Sequence, residues 1–417
     1  MGNTATVSPA RRAAGLATLL LVATQSAAAD IELGANARFR FEAADGAGYG
    51  TRGPRDEALL QRLRVDAQWH GTQWQARVEL EDVRAHGKRV AAPTDENPLD
   101  LRTFLVEREG DGWNLRLGRQ ELDVAPQRFL GVRDGPNLRQ AFDGIALRRD
   151  QDGWIWQALA SLPVDYASRR PFDDRAARDQ RFDLVSVRRA ARHGTWSAFY
   201  ARLATDEERH TDAVGRAVRH SLDLRWDGDA LPWDWDFEAV LQRGHVGAAE
   251  ISAWAVGLRG GYTQRTARSP RWGLQLDTAS GDRCAGDGGV STFHPLFANG
   301  SYSFTLAGHT GYSNLVQVKP SLTLSLRPDL RGSVALAGLW RRTTHDAVYL
   351  QPDVPLRGTA GRGGRYTATY AQMRLDGRLR PNVEWAAEIV RYDAGRAVHA
   401  AGGRDSRYAA LELALGW

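Results

Sequence analysis

Apolar and polar residues alternate with a period of two through most of this chain, in stretches of about ten to fourteen residues. In the first stretch Ile31, Leu33, Ala35, Ala37, Phe39 and Phe41 fall on one side of an extended strand, and Glu32, Asn36, Arg38, Arg40 and Glu42 on the other. Successive side chains of a strand point to opposite faces, so one face suits acyl chains and the other water. The pattern returns as Leu63, Val65, Ala67 and Trp69 against Arg62, Arg64, Asp66 and Gln68, and as Trp74, Ala76, Val78 and Leu80 against Gln75, Arg77, Glu79 and Glu81. Further on, Trp233, Trp235, Phe237, Ala239 and Leu241 oppose Asp234, Asp236 and Glu238, and Val316, Val318, Leu322, Leu324 and Leu326 oppose Gln317, Lys319, Ser321, Thr323 and Ser325. A soluble sandwich would need a second sheet over every apolar face and tolerates fewer long two-faced strands.

Eighteen strands are predicted, near 31–42, 58–70, 73–84, 99–109, 112–121, 138–150, 153–163, 180–191, 194–204, 216–228, 233–244, 250–263, 271–280, 314–327, 331–344, 364–378, 382–394 and 405–417. Sixteen stays open, because the periodicity of the eighth, twelfth and sixteenth is ambiguous. Even-numbered strands run into odd ones through tight turns such as His70-Gly71-Thr72, Gly110-Asp111-Gly112 and Arg327-Pro328-Asp329, where Gly supplies positive φ and Pro and Asp set the turn. Odd-to-even connections are mostly longer, notably 43–59, 85–98, 123–137, 164–179, 281–313 and 345–363. Short turns on one rim and long loops on the other predict an all-β fold: a single transmembrane antiparallel β-barrel of about 18 strands with both termini periplasmic. Trp69, Trp74, Trp113, Trp154, Trp196, Trp226, Trp233, Trp272, Trp385 and Trp417 sit near the short-turn rim and read as its interfacial girdle. The last residues, Ala409 to Trp417, make a closing strand with Leu411, Leu413 and Leu415 outward and an aromatic end, the segment offered to the outer-membrane assembly machinery.

The N-terminus fits that destination. Arg11 and Arg12 precede an apolar run from Ala13 to Ala23, and Ala27-Ala28-Ala29 supplies a small-residue cleavage site, so 1–29 reads as a signal peptide and 30–417 as the barrel, placed in the outer membrane of a Gram-negative bacterium. No apolar stretch approaches the roughly 20 residues of a transmembrane helix. The single cysteine, Cys284, excludes an intramolecular disulfide. Of 55 basic residues only Lys88 and Lys319 are lysines, but no clustered basic stripe or motif accompanies them, so no nucleic-acid partner is expected.

A barrel of this size encloses an aqueous lumen. Alternation turns Arg38, Arg40, Arg62, Arg64, Arg77, Arg102, Arg116, Arg219, Arg225 and Lys319 into it, and Arg forks suit carboxylate-bearing solutes. Inward acids are as numerous, and Asp234, Asp236 and Glu238 form an acidic wall opposite the early arginines. Two outcomes follow, a transverse field across a constriction or internal ion pairs that stiffen the wall.

Two blocks resemble the alginate-export outer-membrane proteins. One is LDLRTFLVEREGDGWNLRLGRQELDVAPQRFLGVRDGPNLRQAFDGIAL, from Leu99 to Leu147, and the other is LQLDTASGDRCAGDGGVSTFHPLFANGSYSF, from Leu274 to Phe304. The resemblance implies an 18-stranded channel that lets an anionic exopolysaccharide out of the periplasm past constriction arginines, with Arg102 and Arg119 at the matching positions. Alternation agrees for Arg102. It places Arg119 outward beside Leu117, unless Gly118 marks a bulge that turns Arg119 into the lumen. Expected partners are thus an anionic glycan or small polar solute and the outer-membrane lipid, with no cofactor or metal. An uptake porin for sugar acids or oligosaccharides is the alternative, because a passive hole has no direction. A barrel-embedded hydrolase would need a nucleophile and base at one rim, and no GxSxG, HExxH or Walker sequence is present. His294 reads as a loop-packing residue, and Asp282 with Asp287 lacks the full series of a calcium loop.

Overall fold

The computed structural model describes residues 31–417 apart from positions 54, 90, 91, 93, 123, 125–127, 133, 211, 212 and 285. The predicted signal peptide, 1–29, lies outside the described residues. Eighteen long strands follow in order: β1 (Ile31–Asp45), β2 (Arg55–His70), β3 (Trp74–His86), β4 (Asn97–Gly110), β5 (Trp113–Gln120) and β6 (Phe142–Gln151). The next six are β7 (Trp154–Asp165), β8 (Gln180–Ala191), β9 (Gly194–Arg209), β10 (Val214–Ala230), β11 (Trp233–Val246) and β12 (Ala249–Thr263). The last six are β13 (Arg271–Ala279), β14 (Leu315–Arg327), β15 (Leu330–Arg341), β16 (Tyr366–Arg380), β17 (Val383–Ala394) and β18 (Ser406–Gly416). Each pairs antiparallel with its successor, and β18 returns to β1 from Asn36↔Gly416 to Asp45↔Arg407, which closes the barrel and leaves no free edge.

The two faces sort as the alternation predicts. Leu33 (65%), Val65 (50%) and Leu241 (54%) are exposed on the outside, whereas Arg38, Arg64 and Glu238 are buried on the inside. Trp69, Trp74, Trp196, Trp233, Trp272 and Trp417 stand exposed by the short turns, and Trp196 stacks on Trp226 across the β9–β10 pair at 5.2 Å between ring centroids. One even-to-odd turn, 264–270, is longer than its peers, and one connection of the long-loop rim, 247–248, is as tight as any turn.

Two long connections depart from expectation by folding into the lumen. Residues 121–141 carry Leu122, Phe129, Leu130 and Leu138, and 280–314 carry Phe293, Leu296, Phe297, Phe304 and Tyr312, all buried. Leu130 and Phe297 bridge the two segments. Among the described residues of the second loop only Arg283, Cys284 and 286–288 are exposed, so the long connection 281–313 reaches the surface at that short tip. The same packing delays β6, which starts at Phe142 and not near 138, because Leu138 and Ala141 still belong to the buried loop.

The expected bulge at Gly118 is also corrected. Pairing runs unbroken through Leu105↔Gly118 and Gly118↔Gly144, and the register shift lies on the neighbouring strand, between Thr103 and Leu101, at Arg102.

Candidate functional site, a strapped lumen

The inward arginines of β1 and β2 receive the loop 121–141. Arg38 donates to the carbonyls of Asp134 (2.9 Å) and Pro136 (2.8 Å), Arg40 to that of Gly135 (2.8 Å), and Arg62 pairs with the Asp134 carboxylate (3.0 Å). Burial would raise the Asp134 carboxyl, but the hydrogen bond from Arg139 and the charges of Arg62, Arg139 and Arg38 outweigh it and hold it well below the usual carboxylate range. Nearby, Asn137 donates to the carbonyls of Gln61, Arg84 and Asp95.

The other end of the loop reaches the acidic wall. Arg128, fully buried, donates to the Gly257 carbonyl (2.8 Å) and faces Asp236 (3.2 Å), Glu238 (3.6 Å) and Asp277 (3.9 Å). β2 and β11 are half a circumference apart, so the described residues of 121–141 form a strap across the lumen, anchored to opposite walls by opposite charges. The acidic residues of β11 are therefore compensated: Asp236 also binds Arg225 (2.8 Å) and Asp234 binds Arg271 (2.7 Å).

The strap and the 280–314 loop touch where Gly135 lies. A Cβ there would sit 1.9 Å from Ser301 Oγ, so only glycine permits the approach. A cavity lies on either side of this contact. On the long-loop side is a cavity of about 220 Å³ lined by Glu42, Arg52, Asp56, Lys88 and Asp95 among others, and on the short-turn side one of about 500 Å³. The two share Arg40, Gly135, Ser301, Phe304 and Leu306, which form the constriction. The larger cavity has six cationic side chains, Arg38, Arg40, Arg259, Arg271, Lys319 and Arg374, against Asp134, Glu388 and Glu412, so its walls are net positive. Lys319 donates to the Phe304 carbonyl (3.1 Å) and lies over the Tyr370 ring, which fixes the backbone of the constriction.

The other sequence-predicted arginines serve the wall. Arg64 pairs with Glu81, Arg77 with Glu79 (3.2 Å), Arg116 with Glu107 (3.2 Å) and Arg225 with Asp236. Arg102 is buried against Glu121, the Gln140 carbonyl (3.2 Å) and Tyr166 (3.3 Å). Arg219 pairs with Glu208 (2.9 Å) beside a separate cavity of about 520 Å³ under the long loops. That cavity also holds His294, whose imidazole burial pushes down to about 3, and whose backbone exchanges hydrogen bonds with Gln242 (2.9 and 3.0 Å), a packing role. Arg119 keeps the outward parity of Leu117 and forms a two-pronged pair with Asp143 (2.7 and 3.0 Å), its third nitrogen taking the Leu101 carbonyl (3.1 Å) next to the Arg102 bulge. It is embedded in the wall, facing neither open lumen nor bare lipid, so its expected place among the pore-lining residues is corrected. Sequence reasoning missed Arg128, Asp134 and Gly135, although the apolar residues scattered through 122–138 mark a loop that needs burial.

A closed antiparallel barrel of eighteen strands, apolar outside and narrowed inside by its own loops, defines a channel of the bacterial outer membrane. The chain belongs to the alginate export family, whose model matches residues 29–412. Among solved structures it is similar to the outer membrane protein OpdK of Pseudomonas aeruginosa (TM-score 0.63, 11% identity, 93% of this chain and 98% of that one). It is also similar to OccK2 (OpdF) of the same organism (0.63, 15%, 93% and 97%) and to OccAB4 of Acinetobacter baumannii (0.64, 9%, 93% and 98%). At these identities the likeness is one of fold. No curated protein matches the chain by sequence. Family and fold are those of channels, not enzymes.

Proposed function

We propose that this channel passes small carboxylate-bearing solutes by passive diffusion, with the short-turn rim and both termini in the periplasm. The observation that carries this reading is the net-positive cavity ending at a constriction that Arg40 shares with both sides. Fixed cations in a confined space raise the local concentration of anions and favour their entry. One structural neighbour, OpdK, has been crystallised with vanillate, a small carboxylate. Family membership favours a second reading, a single extended acidic sugar chain moving outward. Monomeric uronates and their oligomers, added to either side of a planar bilayer, separate the two: block by oligomers alone would favour the glycan. The exposed closing end at Trp417 fits a strand read by the assembly machinery during insertion.

Arg40→Gln with Lys319→Gln should move the reversal potential toward cation preference, since the excess of cationic over acidic side chains lining the larger cavity then falls from three to one. Arg64→Gln, away from the two cavities, should leave it in place. A double variant as anion-preferring as the parent would refute a role for these cations in selectivity. Orientation has its own probe: Cys284 is the only cysteine and is exposed at the tip of a long loop. A membrane-impermeant maleimide should label it on intact cells, and labelling only after the outer membrane is breached would reverse the topology.

A further inference from the structure

The outer face carries a second pattern that conduction does not use. Around the long-loop rim, outward arginines are matched by an acid two residues along the same strand: Arg84 with Asp82 (2.8 Å), Arg181 with Asp183 (2.9 Å), Arg391 with Asp393 (2.9 Å), and Arg55 with Glu57. Arg243 has no such acid, because its neighbours on that face are Leu241 and His245, and Arg202 and Arg216 likewise have none two residues along. Arg243 stands directly opposite His220 on β10, which stands opposite Arg202 on β9. The row faces outward, since Tyr200, Leu222 and Leu241, one step nearer the short turns, are exposed. Arg202 and Arg243 therefore stand two strands apart on one face, with His220 between them. Of the row only Arg202 meets an acid, Asp183 (3.3 Å), which it shares with Arg181, and among the described residues neither His220 nor Arg243 meets a carboxylate.

The height of the row suits a headgroup. Arg243 lies ten residues beyond Trp233, roughly 33 Å along the strand and about 25 Å after tilt, the height of the apolar band. Two interstrand steps spread Arg202, His220 and Arg243 over about 10 Å, the span of a disaccharide. The connections beside this sector, 210–213 and 247–248, are the shortest on the rim, so the face is open. Tyr200 occupies His220 Nδ1 (2.6 Å) and leaves Nε2 directed elsewhere.

We propose that the outward faces of β9, β10 and β11 bind the phosphates of a diphosphorylated glycolipid in the outer leaflet, through Arg202, His220 and Arg243. The leaflet rests on the orientation given above. The phosphates supply the missing counter-charge and form charge-assisted hydrogen bonds with the row.

The test is lipid retention by the full barrel extracted in mild detergent. Arg202→Gln with Arg243→Gln should lower the diphosphorylated glycolipid per barrel, measured by mass spectrometry, severalfold against the parent and against Arg84→Gln with Arg391→Gln. Both doubles should keep heat-modifiable migration and parental conductance, because the residues lie outside the lumen. Adding back the diphosphorylated glycolipid should restore occupancy of the parent, and its dephosphorylated form should not. Retention unchanged by the first double, or lost equally in the second, overturns the site. Equal binding of phosphatidylglycerol overturns its assignment to a glycolipid. Binding in detergent does not depend on which rim faces outward, so its failure is distinct from a failure of the Cys284 labelling.

Discussion

Arg128→Ala should raise single-channel conductance severalfold and shift selectivity toward cations. The arginine sits between Asp236, Glu238, Asp277 and the Gly257 carbonyl, fully buried, and is the anchor of the strap on that wall. Removing one partner of a buried ion pair costs about 3–5 kcal/mol, because the other charge is left uncompensated, against about 0–1 kcal/mol for an exposed pair. With Arg128 gone, water and cations are drawn to the three acids, and the charged and hydrogen-bonded attachments of the strap that remain are those near β1 and β2, through Asp134, Gly135, Pro136 and Asn137. Arg128→Lys keeps a charge but loses the fork, and should fall between the two. Recordings in planar bilayers decide it. Unchanged conductance would mean that Phe129 and Leu130, packed in the apolar clusters, hold the strap without the arginine.

Gly118→Ala should lower the urea midpoint of the folded barrel and the yield of heat-modifiable protein. Gly118 has φ +124, and a Cβ there would meet the Phe104 carbonyl oxygen at 2.0 Å. Backbone strain of that kind costs on the order of 1–3 kcal/mol, and the clash with β4 adds to it because both atoms belong to paired strands. Gly416→Ala, with nothing within 4 Å, is the matched control. Equal midpoints for the two variants would show that β4 and β5 can part at this point without loss.

Most of the barrel is legible in the sequence because water on one side and lipid on the other force a strict alternation. The strands whose periodicity is ambiguous are those whose inner face meets a loop. Phe182 and Leu184 on β8, Ile251 and Ala253 on β12, and Ala368 and Tyr370 on β16 point inward yet are buried in apolar contact. A face covered by a folded loop looks like a face covered by lipid. The site was less legible for the same cause. Strand parity turns Arg38 and Arg40 to the lumen, but whether they meet solute, strap or each other depends on where 121–141 lies, and no local pattern reports that. Parity also predicts the outward direction of Arg119, while the Asp143 partner that makes it tolerable comes from β6.

A strap fixed half a circumference apart acts as a tie across a hoop. A barrel wall is a thin sheet that bends more easily than it stretches, and lipids press on it from all sides. A squeeze along the line from Arg62 to Arg128 slackens the tie, and a pull along that line tightens it on both anchors at once. The position of Gly135 against the 280–314 loop and the cross-section of the barrel are thereby tied into one mechanical variable.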